Sequence, residues 1–225
     1  MSFLIKICGL STPEGLDVAL ESGADLVGFV FFPASPRHLG FDRARDLAGR
    51  VKGRAGKVAL SVDAEDTFLD AVVDALKPDL LQLHGREPPA RVGELRRRHG
   101  LPVMKAIPVE TRGDLAIVAD YAEIADRLIF DARAPRAAMR PGGLGRPFDW
   151  RLLENLDPGV AFMLSGGLDA ENVSLALGIT RASGVDVSSG VERTPGEKDP
   201  DKIRAFIRAA RSAAMRLGAP TMGSA

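Results

Sequence analysis

The chain has 225 residues, of which 45% are hydrophobic and 27% charged, and 30 basic residues balance 30 acidic ones. A formal net charge of zero gives no electrostatic reason to expect binding to nucleic acid or to an anionic membrane. No apolar stretch approaches the ~20 residues that cross a bilayer, so we expect no nucleic-acid partner and no membrane association.

The single cysteine, Cys8, excludes an internal disulfide framework and suits a reducing compartment. The first six residues, MSFLIK, lack the long apolar core and cleavage site of a secretory signal. We therefore expect a cytoplasmic protein. With three histidines and one cysteine, no metal-ligand cluster stands out, so we expect no metal site.

Short apolar runs alternate with helical patterns along the chain. The predicted strands are Phe3–Ile7, Asp25–Phe31, Lys57–Val62, Asp79–Leu83, Val103–Ile107, Leu128–Phe130, Ala161–Leu164 and Val185–Val187. The predicted helices are Pro13–Ser22 with Thr12 as N-cap, Asp42–Val51, Glu65–Leu76, Pro88–Arg98, Leu115–Ile124, Trp150–Leu156, Asp169–Gly178 and Pro200–Leu217.

This alternation predicts a parallel sheet with helical crossovers. Eight units without a Gly-x-Gly-x-x-Gly fingerprint favour a closed (β/α)8 TIM barrel over an open doubly wound α/β sheet. The length fits such a barrel, and no Pro/Ser-rich linker divides the chain. We expect residues 1–225 to form one domain.

In such a barrel the reactive groups lie at the carboxyl ends of the strands. The first strand leads into Cys8, which shares a face with Lys6, while Ile5 and Ile7 share the other face. Cys8 would then point toward the barrel mouth, where the Lys6 cation favours the thiolate. The alternative is that Cys8 is a small buried hydrophobe.

Polar residues follow the second and fourth strands. Arg37 could bind a carboxylate through its planar fork, or could be a solvated loop residue. Gln82 and His84 share one face of a strand that should be apolar on both sides. They could line a site, although a satisfied core histidine is the competing interpretation.

The later strands add two carboxylates and a lysine. Asp131 follows three apolar residues and is either a turn cap or a carboxylate at the mouth. Asp186 lies inside an apolar strand and should be paired or functional. Lys105 could form a Schiff base, but we favour a structural role. The long loop from Ala132 to Pro147 contains a glycine-rich hinge, which is typical of a lid or binding loop.

The last two strands end in small residues, Gly166 and Gly167 after one and Ser188 and Ser189 after the other. Backbone N–H groups at such adjacent strand ends, with a helix N-terminus directed at them, form an anion site that suits phosphate. Each segment could also be an ordinary turn.

Taken together, these motifs resemble the phosphoribosylanthranilate isomerase family over nearly the whole chain. The residues that carry the resemblance are Lys6-Ile7-Cys8-Gly9, Ser35-Pro36-Arg37, Gln82-Leu83-His84-Gly85, Asp131 with Gly142 to Trp150, Ser165-Gly166-Gly167-Leu168 with Asn172-Val173, Gly184 to Glu192, and Gly196 to Asp199. The chain departs from the family at Leu144, where threonine is usual, at Ser165, where alanine is usual, and at Asp63, near a usual asparagine.

The resemblance implies an Amadori rearrangement of a phosphosugar, N-(5′-phosphoribosyl)anthranilate, in tryptophan biosynthesis, without a cofactor. It implies that Asp131 is the general acid and Cys8 the general base. Further implied roles are carboxylate binding by Arg37, a place near the ribose for Asp186, phosphate binding by Gly166, Gly167, Ser188 and Ser189, and lining of the mouth by Gln82 and His84. A thiol starts near a pKa of about 8.5 and a carboxyl near about 4, so both pKa values are expected to move toward neutrality.

Other functions remain open at this point. A dual-substrate sugar isomerase that also acts in histidine synthesis is expected to carry aspartate in place of Cys8. A metal-dependent epimerase needs several histidines and carboxylates at strand ends, and indole-glycerol-phosphate synthase needs lysines at the mouth. A non-catalytic phosphate-binding barrel would keep the Ser188 segment and lose Cys8 or Asp131. The protein could be a monomer or a homodimer.

Overall fold

Eight parallel strands form a closed barrel in the computed structural model, which describes residues 3–135, 142, 145 and 147–218. The strands are β1 (Leu4–Cys8), β2 (Leu26–Phe31), β3 (Gly56–Ser61), β4 (Leu80–Leu83), β5 (Val103–Val109), β6 (Arg127–Ala132), β7 (Phe162–Leu164) and β8 (Gly184–Val187). Each strand pairs with its neighbour in sequence, and β1 closes the barrel on β8, with Ile5 opposite Val185. The predicted TIM barrel is confirmed.

Helices surround the barrel. They are α1 (Pro13–Glu21), α2 (Phe41–Val51), α3 (Asp66–Leu76), α4 (Pro89–His99), α5 (Val118–Ala122), α6 (Val173–Thr180) and α7 (Pro200–Arg216). Thr12 caps α1 as predicted, because its Oγ1 accepts a hydrogen bond from Gly15 N at 3.2 Å. Among the described residues, we find no helix with the length and apolar character needed to cross a membrane.

The core has two layers, which follow from the alternation of side chains along each strand. Outward-facing residues such as Ile5 and Ile7 join the large cluster between strands and helices. Inside the barrel, a smaller buried cluster includes Met104, Ile129 and Met163. The inward rows therefore continue from this apolar layer to the polar residues at the carboxyl ends of the strands.

The helix predicted over Asp169–Gly178 is displaced. Asp169 Oδ1 accepts hydrogen bonds from the N–H groups of Glu171 and Asn172, each at 2.9 Å, and this turn delays the start of α6 to Val173. Gly178 does not end the helix, which continues to Thr180 and ends where Arg181 adopts a left-handed conformation with φ of 53°.

Two other predicted helices are shorter or tighter than expected. The capping box of Thr111 and Asp114 starts a 3-10 helix at Arg112–Ile117, so only Val118–Ala122 of the predicted Leu115–Ile124 is α-helical. The predicted helix Trp150–Leu156 is a 3-10 helix that ends at Leu153, because Glu154 adopts an extended conformation with ψ of 127°.

A hairpin that we did not predict follows β8. A 3-10 helix, Ser189–Val191, leads into β9 (Glu192–Thr194), which pairs antiparallel with β10 (Glu197–Lys198). These strands have three and two residues, and both residues of β10 and the first two of β9 are charged, so they show no apolar alternation.

Candidate active site

Cys8 is the last residue of β1 and lies inside the barrel near its carboxyl end. It is 4% exposed and packs with Val30 and Leu60, while its neighbour Ile7 belongs to the outer cluster. The inward position predicted for Cys8 is therefore correct. Gly28 on β2 leaves room for it, since a Cβ there would come 2.9 Å from the sulfur.

A buried ion pair lies beside Cys8. Lys6 Nζ is 2.8 Å from Asp186 Oδ1, and Ser165 Oγ donates to Asp186 Oδ2 at 3.2 Å. Burial disfavours the ammonium, but attraction to the acidic groups beside it, Asp186 above all, outweighs burial and holds the pKa of Lys6 above its usual value. Asp186 is thus paired, which was one of its two predicted states.

The expectation that the pKa of Cys8 falls toward neutrality is wrong for the free protein. Burial raises the pKa of the thiol above its ordinary value of 9.0, and the attraction of Lys6 is too small to reverse this. The nearby Asp186 carboxylate raises the pKa further. The sequence shows that the Lys6 cation shares a face with Cys8, but it does not show how strongly burial of the thiol opposes the effect of that cation.

Asp131 ends the inward row of β6 and contacts His84. It is 5% exposed, its Oδ1 accepts from Ala132 N at 2.8 Å, and its Oδ2 lies 3.1 Å from His84 Nε2. Gln82 Nε2 lies 3.0 Å from His84 Nδ1. With the amide NH2 assigned to that side, Nδ1 accepts and His84 donates to Asp131 from Nε2.

Gly142 lies against this group. A Cβ on Gly142 would come 2.5 Å from Asp131 Oδ2 and 2.8 Å from His84 Nε2, so only glycine fits there. Most of the predicted lid (136–141, 143, 144 and 146) lies outside the described residues, including the departure at Leu144.

Arg37 is buried, at 4% exposed, and is bound to Glu192. Its Nε donates to Glu192 Oε1 and its Nη2 to Glu192 Oε2, both at 2.7 Å. This bidentate geometry sets the direction of the guanidinium plane. A solvated loop position, the alternative for Arg37, is excluded.

The two predicted phosphate segments lie at the ends of adjacent strands β7 and β8. Gly166 and Gly167 have φ values of 86° and 66°, a left-handed conformation that favours glycine. Asn172 Nδ2 donates to Gly167 O at 2.9 Å and holds this turn. Ser188 Oγ donates to the carbonyl oxygen of Cys8 at 3.1 Å, which ties the β8 end to the β1 end.

Lys105, the possible Schiff-base residue, faces outward from β5. Its Nζ lies 2.9 Å from Glu87 Oε2, 2.7 Å from Gly85 O and 5.6 Å from the centroid of the Tyr121 ring. These contacts hold the loop that follows His84, which supports the structural role that we favoured. Across the described residues, no group of three or more His, Cys, Asp or Glu side chains could hold a metal ion.

The chain matches the family described as N-(5'phosphoribosyl)anthranilate (PRA) isomerase over residues 5–209. It belongs to the phosphoribosylanthranilate isomerase family. The N-(5'-phosphoribosyl)anthranilate isomerase of Nitrobacter hamburgensis is 64% identical to it over 217 residues, which is 96% of each chain.

Solved structures of this family are also similar. The phosphoribosyl anthranilate isomerase of Thermotoga maritima has a TM-score of 0.85 at 35% identity, over 94% of this chain and all of the other. A structure of such an isomerase in complex with reduced 1-(o-carboxyphenylamino)-1-deoxyribulose 5-phosphate has a TM-score of 0.81 at 34% identity, with the same coverage.

Two residues of the family-like motifs had no role in the sequence analysis. Glu192 and Lys198 are both buried, and Lys198 Nζ lies 2.8 Å from Glu192 Oε1. Burial lowers the pKa of Lys198 to about 8, although the Glu192 charge opposes this. Charged residues in a segment without apolar periodicity are typical of a solvated surface turn. The sequence therefore did not indicate that Glu192 and Lys198 are buried.

Proposed function

We propose that the protein isomerises N-(5′-phosphoribosyl)anthranilate to 1-(2-carboxyphenylamino)-1-deoxyribulose 5-phosphate in tryptophan biosynthesis. The reaction moves two hydrogens within one molecule, so C1′ is reduced while C2′ is oxidised, and it uses no external oxidant. The observation that carries the proposal is that Cys8 and Asp131 end inward-facing rows of one barrel, with His84 hydrogen-bonded to Asp131.

In the first step Asp131 protonates the ribose ring oxygen. The ring C–O bond then breaks, and the anilino nitrogen forms a cationic iminium with C1′. His84 donates a hydrogen bond to Asp131 along the 3.1 Å contact and so fixes the direction of the carboxyl group. General acids that act in this way contribute about 10² to 10⁴ in rate.

In the second step the Cys8 thiolate removes the C2′ proton. The electron pair of that C–H bond forms the C1′–C2′ double bond of an enolamine, which tautomerises to the ketone. The raised pKa of Cys8 leaves the thiol protonated in the free protein near neutral pH. The iminium charge adds to that of Lys6, and both favour the thiolate once the ring has opened.

Substrate binding follows from the remaining residues. Arg37 would meet the anthranilate carboxylate, and Asp186 would lie near the ribose. The N–H groups of Gly166, Gly167, Ser188 and Ser189 would hold the phosphate, with Gln82 and His84 at the mouth. Whether the protein is a monomer or a homodimer stays an open prediction.

The test is a fluorescence assay that follows consumption of phosphoribosylanthranilate generated in situ. The parent protein should consume it and form the ketone product, identified by its absorption and by its chromatographic separation from the substrate, which has the same mass. A parent protein that binds inorganic phosphate but leaves this substrate unchanged would favour the non-catalytic phosphate-binding barrel.

A further inference from the structure

The β9–β10 hairpin brings two buried charges against the loop that carries Arg37. Glu192 is 6% exposed and Lys198 is 8% exposed, and they are paired in the hairpin register. The hairpin turn packs closely on this loop, since a Cβ on Gly196, which has φ of 93°, would come 2.7 Å from the carbonyl oxygen of Pro36. The hairpin is therefore fixed next to the site.

The Glu192 carboxylate joins the hairpin to Arg37. Oε1 accepts from Arg37 Nε at 2.7 Å and from Lys198 Nζ at 2.8 Å, and Oε2 accepts from Arg37 Nη2 at 2.7 Å. Three charge-assisted hydrogen bonds from two different segments converge on one carboxylate. The attraction of Arg37 and Lys198 outweighs burial and holds the pKa of Glu192 below its usual value.

Lys198 continues the connection to the β8 end. Its Nζ donates to Ser188 O at 2.9 Å and to Ser188 Oγ at 3.2 Å. Ser188 in turn donates to the backbone of Cys8. A chain of hydrogen bonds, buried at Glu192 and partly buried at Ser188, thus runs from Arg37 through Glu192 and Lys198 to Ser188.

Stability alone gives little reason for these buried charges. Desolvation of a buried ion pair often offsets its attraction, and apolar replacements of similar volume are often as stable or more stable. What buried hydrogen-bonded charges do supply is fixed geometry. Here they fix the directions of one guanidinium and one peptide group, both of which border the proposed substrate site.

We propose that Glu192 and Lys198 are positioning residues that hold Arg37 and Ser188, and with them the carboxylate and phosphate ends of the site, in fixed places. This inference rests on the proposed function, which gives Arg37 and Ser188 their ligands. Glu192 touches no reacting atom and acts through Arg37. Lys198 acts through the Ser188 peptide and hydroxyl.

The substitution Glu192→Gln distinguishes a positioning role of Glu192 from an effect of its negative charge alone, because the two roles predict opposite changes in KM. Because both ends of the substrate are anionic, removing a negative charge should lower KM if Glu192 acts only through its field. If Glu192 positions Arg37, KM should rise by about tenfold or more while kcat changes less. An unchanged or lower KM would overturn the proposal.

A second readout does not depend on activity. In ¹⁵N–¹H spectra of the full chain, the Nε–H of Arg37 should give a signal protected from solvent exchange in the parent and unprotected in Glu192→Gln. The control is Glu197→Gln on the same hairpin, whose side chain is 60% exposed, and it should match the parent. A signal that is equally protected in both variants would overturn the proposal even if the parent proved inactive.

Lys198→Met tests the other end, with inorganic phosphate as a competitive inhibitor. Its inhibition constant should rise by about tenfold, whereas Glu197→Gln should leave it unchanged. If either single variant fails to fold, Glu192→Gln combined with Lys198→Met removes both buried charges together and should still raise KM. A double variant with parental KM would contradict the proposal, while an inactive parent would contradict the proposed function instead.

Discussion

His84 Nε2 lies 3.1 Å from Asp131 Oδ2, so the proposed general acid is held in place by a hydrogen bond from this imidazole. We expect His84→Asn to lower kcat by about tenfold or more with a smaller change in KM, because Asp131 loses this partner. Steady-state kinetics would check this. The control is His99→Asn at the end of α4, near the opposite end of the barrel, which should keep parental kcat.

The raised pKa of the Cys8 thiol predicts slow alkylation near neutral pH. The rate of iodoacetamide labelling should increase with pH and reach its midpoint above the ordinary value of 9.0, because burial favours the neutral thiol. Cys8 is the sole cysteine, so mass spectrometry of the intact protein reports this site alone. A labelling midpoint below pH 7 would show a preformed thiolate and contradict this account.

Replacing the glycines at the β7 end should separate phosphate binding from acid catalysis. Gly167→Val places a branched side chain at a φ of 66° and should weaken inhibition by inorganic phosphate by about tenfold. Gly166→Ala should also lower kcat, because its Cβ would come 3.0 Å from Asp131 Oδ1.

The matched control for both is Gly178→Ala inside α6, where nothing lies within 4 Å of the added Cβ. It should stabilise the protein by about 1 kcal/mol and leave phosphate inhibition unchanged. Undiminished phosphate inhibition in Gly167→Val would place the phosphate elsewhere.

Lys198 should give a distinctive dependence of stability on pH. Burial lowers its pKa from 10.5 to about 8 in the folded protein. Between these values the unfolded chain binds more protons than the folded one, so the free energy of unfolding should rise with pH. From pH 8 to 10.5 the free energy of unfolding of the parent should rise by up to about 3 kcal/mol more than that of Lys198→Met. Urea unfolding across this range measures the gain, and a parallel pH dependence in both proteins would contradict the assignment.

The barrel was predictable because its signals are local. Apolar runs mark the strands, and alternation along β1 was enough to place Cys8 inside and Ile7 outside. Helix ends were less predictable, since Glu154 ends one helix in an extended conformation and Arg181 ends α6 in a left-handed one, and neither residue type demands it. The turn of Asp169 delays α6 through side-chain hydrogen bonds that compete with the helix.

The electrostatics of the site were not predictable to the same degree. Arg37 and Glu192 are 155 residues apart, and their contact exists only because the hairpin folds back onto the β2 loop. The pKa of Cys8 depends on its burial against Val30 and Leu60, and the spacing of residues in the sequence does not predict that packing. The sequence shows which charged residues are candidates for the site. Whether those side chains are desolvated depends on how distant segments of the chain pack together.

The most direct test of the account is kcat for Cys8→Ala and Asp131→Asn with phosphoribosylanthranilate, alongside circular dichroism to check folding. Each variant should fold like the parent and lose about 10² or more in kcat, as expected for the loss of a general base or acid. Near-parental kcat in either folded variant would remove that residue from the chemistry and contradict the proposed mechanism.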